Sequence, residues 1–197
     1  MKARLRILVV SVFAGFGIYL IFANLIVTKK VLPEEFSEAR VKGATLAKSI
    51  VDLSSESLKN LTEIARYDEE GDRSEALILI SKEVIKNRET REQAIKLSSQ
   101  LEKMARSLTN IKPTKARVLA TEAVSSEVAL VSRLISYNDY LLQLFETLRD
   151  KFQNTSRNPN GRVQQLINKI NEEASAINQF NRRFNQSLAE FDQVFVE

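Results

Sequence analysis

The sequence predicts an all-α protein in which an N-terminal transmembrane helix precedes an up-down antiparallel four-helix bundle of long helices. An uncharged stretch near the N-terminus is long enough to cross a bilayer, and the rest of the chain carries apolar residues at helical spacing. Only five glycines and three prolines interrupt the 197 residues. We therefore expect two parts, an anchor with basic flanks over 1–30 and a helical bundle over 31–197.

The composition excludes several classes of function. The chain contains no cysteine and no histidine, which removes disulfides, thiol nucleophiles, imidazole bases and the usual zinc ligands. Five of the 29 basic residues and none of the 25 acidic ones lie in 1–30, so the body has a net charge of −1. Its charges alternate in sign, whereas a nucleic-acid binder concentrates basic residues on one face. We expect no catalytic, cofactor or metal site and no nucleic-acid partner.

The anchor is the stretch from Ile7 to Val27, which has 21 residues and no charge. At about 1.5 Å per residue, a helix of that length spans the hydrocarbon layer of about 30 Å. A cleaved signal peptide is the alternative, but its apolar core is shorter, about 7 to 15 residues, and ends at a pair of small residues. Around Ala23 no such pair occurs, and we therefore favour an uncleaved anchor in the lipid bilayer.

Basic residues on the two sides of this segment predict its orientation. Lys2, Arg4 and Arg6 precede it together with the amino terminus, and Lys29 and Lys30 follow it. The more basic flank stays in the cytoplasm as a rule. We expect a single-pass protein of the cell membrane with a cytoplasmic N-terminus and an extracytoplasmic body.

Four helices should follow Pro33, which suits the first turn of a helix. The predicted bounds are about 34–67, 73–109, 114–153 and 161–195. Turn-forming sequences rich in Asp, Asn, Gly and Pro separate them, and Asp72 with Glu75 forms a capping box. Helices of this length with short turns give an antiparallel bundle roughly 55 Å long.

Apolar residues recur at steps of three and four along each segment, as in coiled coils, and most regularly along the last. The last segment's predicted seam is Val163, Ile167, Ile170, Ala174, Ile177, Asn181, Phe184, Leu188, Phe191 and Phe195. In the third segment the seam includes Val124, Val128 and Val131. The stripes are broader than a two-stranded seam, which favours a bundle core.

Asparagines interrupt these seams at Asn87, Asn138 and Asn181. Folding the helices back about their turns places Asn87 beside Asn138 and near Ser54, with Asn181 about one helical turn away. Such a core polar layer fixes the register of the helices, as buried Asn does in coiled coils. The alternative is a small ligand or ion site, which bundles also build in their cores.

Two stretches resemble the LemA family. Residues 184–192, Phe-Asn-Gln-Ser-Leu-Ala-Glu-Phe-Asp, with Glu173 and Ile177 before them, are similar to that family's closing helix, although Asp192 replaces its second Asn. Residues 60–69, Asn-Leu-Thr-Glu-Ile-Ala-Arg-Tyr-Asp-Glu, resemble its first bundle helix. The resemblance implies a bacterial envelope protein with an N-terminal anchor, a four-helix bundle and no established catalytic activity.

The two ends of the bundle are the candidate contact surfaces. The end far from the membrane carries a candidate partner tip made of Asp68, Glu69, Glu70, Asp72, Arg157 and Arg162. The near end carries candidate membrane-proximal residues, namely Lys112, Lys115, Arg117 and Phe195. For Phe195, closing the core is the alternative to dipping into the lipid interface.

The sequence favours a non-enzymatic scaffold or protein-interaction module of the cell envelope. An extracytoplasmic sensor is the alternative, but a single membrane span requires it to act through a partner protein. An enzyme ranks third, because the exposed carboxylates of residues 68–72 lack a pocket that would tune them. Expected partners are the lipid bilayer and an envelope protein of unknown identity, with a homo-oligomer left open.

Overall fold

The computed structural model describes residues 32–154 and 159–195. They form four long helices and a short 3₁₀ turn, Leu108–Asn110, and this part of the chain contains no strand. The helices are α1 (Glu34–Glu70), α2 (Arg73–Ser107), α3 (Thr114–Phe152) and α4 (Pro159–Gln193). The prediction of four long helices is confirmed.

The predicted transmembrane segment, Ile7 to Val27, lies outside the described residues. Among the helices that are described, none is apolar enough over a sufficient length to cross a membrane. The anchor therefore stays a prediction from the sequence.

Five of the eight helix boundaries differ from the predicted ones by one to three residues, and two of these differences have a local cause. The predicted end of α1 at residue 67 is three residues short, because the chain stays helical through Asp68, Glu69 and Glu70. Gly71 ends the helix with φ 79°, a left-handed conformation that glycine adopts without strain. The start of α4 at Pro159 comes two residues before the predicted one, and proline is preorganised for a first helical turn.

Side-chain contacts show that neighbouring helices run antiparallel. At one end, the Ser107 hydroxyl on α2 donates to Glu35 Oε2 on α1 at 3.0 Å. At that same end, the Arg40 guanidinium on α1 donates to both carboxylate oxygens of Asp192 on α4, at 2.9 and 2.8 Å. We call this end the base, and the end with the α1–α2 turn the tip. Helices of 35 to 39 residues separate base and tip by roughly 50 Å.

The core follows the predicted seams closely on α4 and less closely on α3. Every predicted seam position of α4 from Val163 to Phe191 is buried, and Phe195 is half-buried against the core. On α3, however, Val128 is 49% exposed. The buried residues of α3 still alternate steps of three and four, but the seam position next to Val128 is filled by Glu127. These buried residues are Val124, Glu127, Val131, Leu134, Asn138, Leu141 and Phe145.

Candidate functional site

Two of the three predicted asparagines meet in the middle of the bundle. The side-chain amide of Asn87 donates to Asn138 Oδ1 at 3.2 Å and to the backbone carbonyl of Asn138 at 3.1 Å. The Asn138 amide donates in turn to the carbonyl of Leu134 at 2.8 Å. Both asparagines are buried. They form a closed polar contact between α2 and α3.

Asn181 does not lie at this level. The ammonium of Lys169 sits 5.0 Å from the ring centre of Tyr140, which sets the register of α4 against α3. In that register Asn181 is about ten residues, roughly 15 Å, from the level of Asn138. Asn181 was placed by folding α3 and α4 about a turn centred near residue 157. The observed centre lies two to three residues earlier in the chain. Each residue of error in the centre moves the position on α4 that faces a given α3 residue by two residues. The Oδ1 atom of Asn181 accepts from the Asn185 amide at 3.3 Å.

A buried carboxylate on α2 extends the polar contact toward α1. Glu83 is fully buried, and its Oε1 accepts from the Asn60 amide at 2.6 Å and from the Lys86 ammonium at 2.9 Å. The same ammonium lies 2.6 Å from Glu56 Oε1. Burial alone would lower the pKa of Lys86, but its hydrogen bonds to Glu56 and Glu83 raise that pKa above its ordinary value.

These residues form one central polar layer across α1, α2 and α3. Its members are Ser54, Ser57, Asn60, Glu83, Lys86, Asn87, Thr90 and Asn138. Glu83 is not predicted to be buried, because the apolar residues along α2 place the seam through Leu77, Ile80 and Val84. The spacing Ile80, Glu83, Asn87, Thr90 and Ala94 alternates steps of three and four, and this was the signal that could have located Glu83.

A second buried glutamate lies on α3, between the central polar layer and the base. Glu127 is 3% exposed, and its Oε2 atom has no hydrogen-bond partner. Burial raises the pKa of Glu127 to about 7, because its charged form loses its hydration. Sequence reasoning did not single out Glu127.

At the tip, most of the predicted acidic residues are held by contacts within the chain. Asp68 Oδ2 on α1 accepts from the Lys151 ammonium on α3 at 2.6 Å. Arg66 donates to Glu70 at 2.8 Å. Asp72 Oδ1 accepts from the backbone N–H of Glu75 at 3.2 Å, which is the predicted helix cap. Glu69, in contrast, is exposed.

The two arginines predicted at the tip differ in what the structure shows of them. Arg162 on α4 donates to Gln143 Oε1 on α3 at 2.8 Å and to Gln165 Oε1, also at 2.8 Å. Arg157 lies outside the described residues. The exposed, unengaged part of the predicted partner tip is therefore smaller than the sequence suggested.

At the base, the predicted membrane-proximal residues divide into two kinds. Lys112 and Lys115 are exposed and Arg117 is half-buried. Phe195 packs edge-on against Phe191 with ring centres 5.2 Å apart, so it closes the core, as the alternative interpretation had it. Ile111 is fully buried and holds the α2–α3 turn against the core.

A concave surface lies outside the central polar layer, and no metal site is found among the described residues. A shallow groove of about 320 Å³ lies between α3 and α4 in the lower half of the bundle. It is lined by Glu122, Ser126, Arg183, Gln186, Ser187 and Glu190. Within residues 32–154 and 159–195, no cluster of three acidic residues is arranged to hold a metal ion.

Comparison with protein-family models, with curated proteins and with solved structures finds no match to this chain. The resemblance to the LemA family therefore stays a prediction from the two sequence stretches. What the molecule does must be argued from its own geometry.

Proposed function

We propose that this protein is a non-enzymatic scaffold of the bacterial cell envelope, anchored in the membrane by its N-terminal segment. The observation that carries the proposal is the rod itself, in which four continuous helices separate base and tip by roughly 50 Å. α1 begins at Glu34, seven residues after the uncharged segment ends at Val27. A rod attached at its base presents its tip at a set distance from the bilayer.

The central polar layer supports this role because it fixes how the helices are aligned. Asn87 and Asn138 satisfy each other only in one register of α2 against α3, and Glu83 meets Asn60 and Lys86 only in one register of α1 against α2. A slip of either pair would leave buried polar groups unpaired, at about 1–3 kcal/mol each. The layer thereby holds the tip residues in a single arrangement.

A sensor that acts through a partner protein is the second candidate, and Glu127 is the observation that favours it. A buried carboxyl with a pKa of about 7 changes its charge within the physiological pH range. The groove between α3 and α4 would offer such a sensor a surface for a small polar ligand. Either function requires a partner protein, and the experiment that finds one serves both.

Crosslinking in intact cells tests the scaffold proposal. A photo-reactive residue in place of Ser74, which is exposed in the first turn of α2, should capture an envelope protein. The double reversal Glu69→Lys and Glu70→Lys should weaken that capture without changing helicity. Asp68 and Asp72 stay untouched, because they bind Lys151 and cap α2. The matched control reverses Glu89 and Glu92, which are exposed on α2. Unchanged capture after reversal at the tip would move the binding surface to the helix faces.

Membrane orientation is tested separately with single cysteines, since the chain has none of its own. A membrane-impermeant thiol reagent should label Ser156→Cys in intact cells and leave Ala3→Cys unlabelled. Labelling of position 3 alone would invert the topology. Labelling of neither in intact cells and of both after lysis would place the body in the cytoplasm.

A further inference from the structure

The base of the bundle carries three cations that no other part of the described chain neutralises. Lys112 and Lys115 are exposed at the α2–α3 turn, and Arg117 lies half-buried on the first turns of α3. Among residues 32–154 and 159–195, no carboxylate forms an ion pair with any of the three. We call these three residues the basal cations.

The chain around the basal cations is free of acidic residues. Between Glu102 and Glu122 there is no Asp or Glu, whereas Lys103 and Arg106 add to the positive charge. Arg106 donates to Glu102, so the charges that remain unpaired are concentrated at the turn. An exposed apolar side chain, Val118, lies one helical turn beyond Lys115.

Carboxylates at the same end of the bundle lie on other helices, and most of them are engaged. Glu35 accepts from Ser107, Glu38 accepts from Lys42, and Asp192 is held by Arg40. Glu34 is exposed in the first turn of α1. The positive charge of the base therefore lies on its α2–α3 side, and the negative charge of Glu34 lies on α1.

The position of the turn brings these charges close to the predicted membrane. Six residues lie between Val27 and Glu34, and even a fully extended chain spans only about 25 Å over these seven residue steps. The turn cannot swing away from the base independently, because Ile111 is fully buried in the core. An anchored bundle therefore keeps its basal cations within reach of the lipid headgroups.

We propose that the α2–α3 turn is a second, electrostatic contact with the membrane, in which the basal cations bind anionic lipid headgroups. The proposal rests on the anchoring proposed above. Ammonium and guanidinium groups attract lipid phosphates strongly only close to the membrane surface. Each such cation increases the partitioning of the protein onto an anionic membrane by about fivefold. The basal cations and the exposed Val118 would contact the lipid, whereas Phe195 packs against Phe191 in the core.

Energy transfer in nanodiscs tests this contact with the full chain. A fluorescent donor on Thr114→Cys, which is a unique thiol at an exposed position of the turn, reports its distance to an acceptor on lipid headgroups. Transfer should be greater in discs with about one-third phosphatidylglycerol than in pure phosphatidylcholine discs, and salt should remove the difference. A donor on Glu69→Cys at the tip should show no dependence on lipid charge.

A triple reversal of Lys112, Lys115 and Arg117 to Glu should abolish the dependence on anionic lipid. The matched control reverses Lys82, Arg88 and Lys96 to Glu, which are exposed on α2 and change the net charge by the same amount. The control should keep the lipid dependence, and both variants should keep the helicity of the parent chain. Loss of the dependence in the control as well would overturn the proposal.

Three other outcomes separate this inference from the anchoring on which it rests. Incorporation into both kinds of disc with equal transfer at position 114 would overturn the inference and leave the anchor in place. Binding of the full chain only to anionic discs, reversed by salt, would support the lipid contact and contradict the proposed N-terminal anchor. Inorganic phosphate that suppresses transfer more than chloride does at equal ionic strength would assign a free-phosphate site and overturn the lipid contact.

Discussion

The bundle buries one glutamate in its middle and another nearer the base, and the two differ in the partners that reach their carboxylates. Glu83 in the central polar layer accepts hydrogen bonds from Asn60 and Lys86. Each glutamate has a buried Oε2 atom without a hydrogen-bond partner. Within the described residues, however, Glu127 on α3 forms no ion pair and no side-chain hydrogen bond, and burial raises its pKa to about 7. Both side chains are shielded from water to nearly the same extent.

The difference shows that partners, and not depth alone, decide what a buried carboxyl does. At Glu83 an ammonium and an amide replace the lost hydration, so the group can serve as a fixed structural acceptor. At Glu127 no cation or amide of the described chain replaces it, so ionisation acts against the fold. The two buried carboxyls thus differ in role: Glu83 is paired with a cation, whereas burial places the pKa of Glu127 at about 7.

The largest expected effect comes from removing the cation of the central polar layer. Lys86→Ala leaves the Glu83 carboxylate buried with Asn60 as its remaining hydrogen-bond donor, and we expect the free energy of unfolding to fall by about 3 kcal/mol at pH 8. Urea unfolding of the parent chain and the variant in the same detergent, followed by circular dichroism, measures this free energy. The control Lys82→Ala removes an exposed lysine from the same helix and should cost under about 0.5 kcal/mol. Equal losses would show that the layer contributes nothing specific.

The second prediction concerns Glu127. Its raised pKa means that the folded protein holds a proton that the unfolded chain releases, so the stabilisation is complete below about pH 4.5 and is lost as pH rises to about 7. Glu127→Gln should therefore raise the free energy of unfolding by about 3 kcal/mol at pH 8 and change it little at pH 4. Unfolding curves at both pH values measure the effect.

The same substitution at the other buried glutamate is the matched comparison. Glu83→Gln removes the charge that Lys86 binds, so it should lower the free energy of unfolding at pH 8, by about 2 kcal/mol. Opposite signs at the two positions would establish the contrast between the two regions. A stabilising Glu83→Gln, or a Glu127→Gln variant whose stability still falls between pH 4 and 8, would contradict it.

Most of the fold was predictable from the sequence because helix signals are local. The spacing of apolar residues and the turn residues located all four helices, and the Asp72–Glu75 cap was predicted as found. The boundary errors came from tertiary and terminal effects. Gly71 in its left-handed conformation lets the acidic residues before it stay helical. On α3 the apolar Val128 was assigned to the seam, but its neighbour Glu127 takes the buried position.

The polar sites were predictable only where they depend on the position of a turn. The contact between Asn87 and Asn138 was predicted correctly because the α2–α3 turn was located correctly. Asn181 was misplaced because the centre of the α3–α4 hairpin was predicted two to three residues too late. Glu83 and Glu127 look like ordinary surface charges in a sequence that is 27% charged. Only the seam spacing signals their burial, because Glu83 and Glu127 each lie at a step of three and four between buried seam residues. Apolar neighbours, Val84 and Val128, compete for the same positions, and tertiary packing decides between them.

The smallest expected effect tests whether the Asn87–Asn138 contact only sets register. In Asn138→Leu the Asn87 amide keeps its bond to the backbone carbonyl of residue 138, and the new side chain is apolar and of similar volume. We expect the free energy of unfolding to change by less than about 1 kcal/mol, because the lost hydrogen bond is offset by apolar burial. The uniqueness of the helix register should decrease instead, with doubled signals in NMR spectra or a mixture of assembly states, since an apolar residue there no longer penalises slipped alignments.

If the layer instead bound a small ligand or ion, the parent chain would show a rise in melting temperature with a cell extract or with added ions, and Asn138→Leu would abolish it. The absence of any such rise in the parent chain, together with broadened spectra in the variant, would assign the layer to register alone.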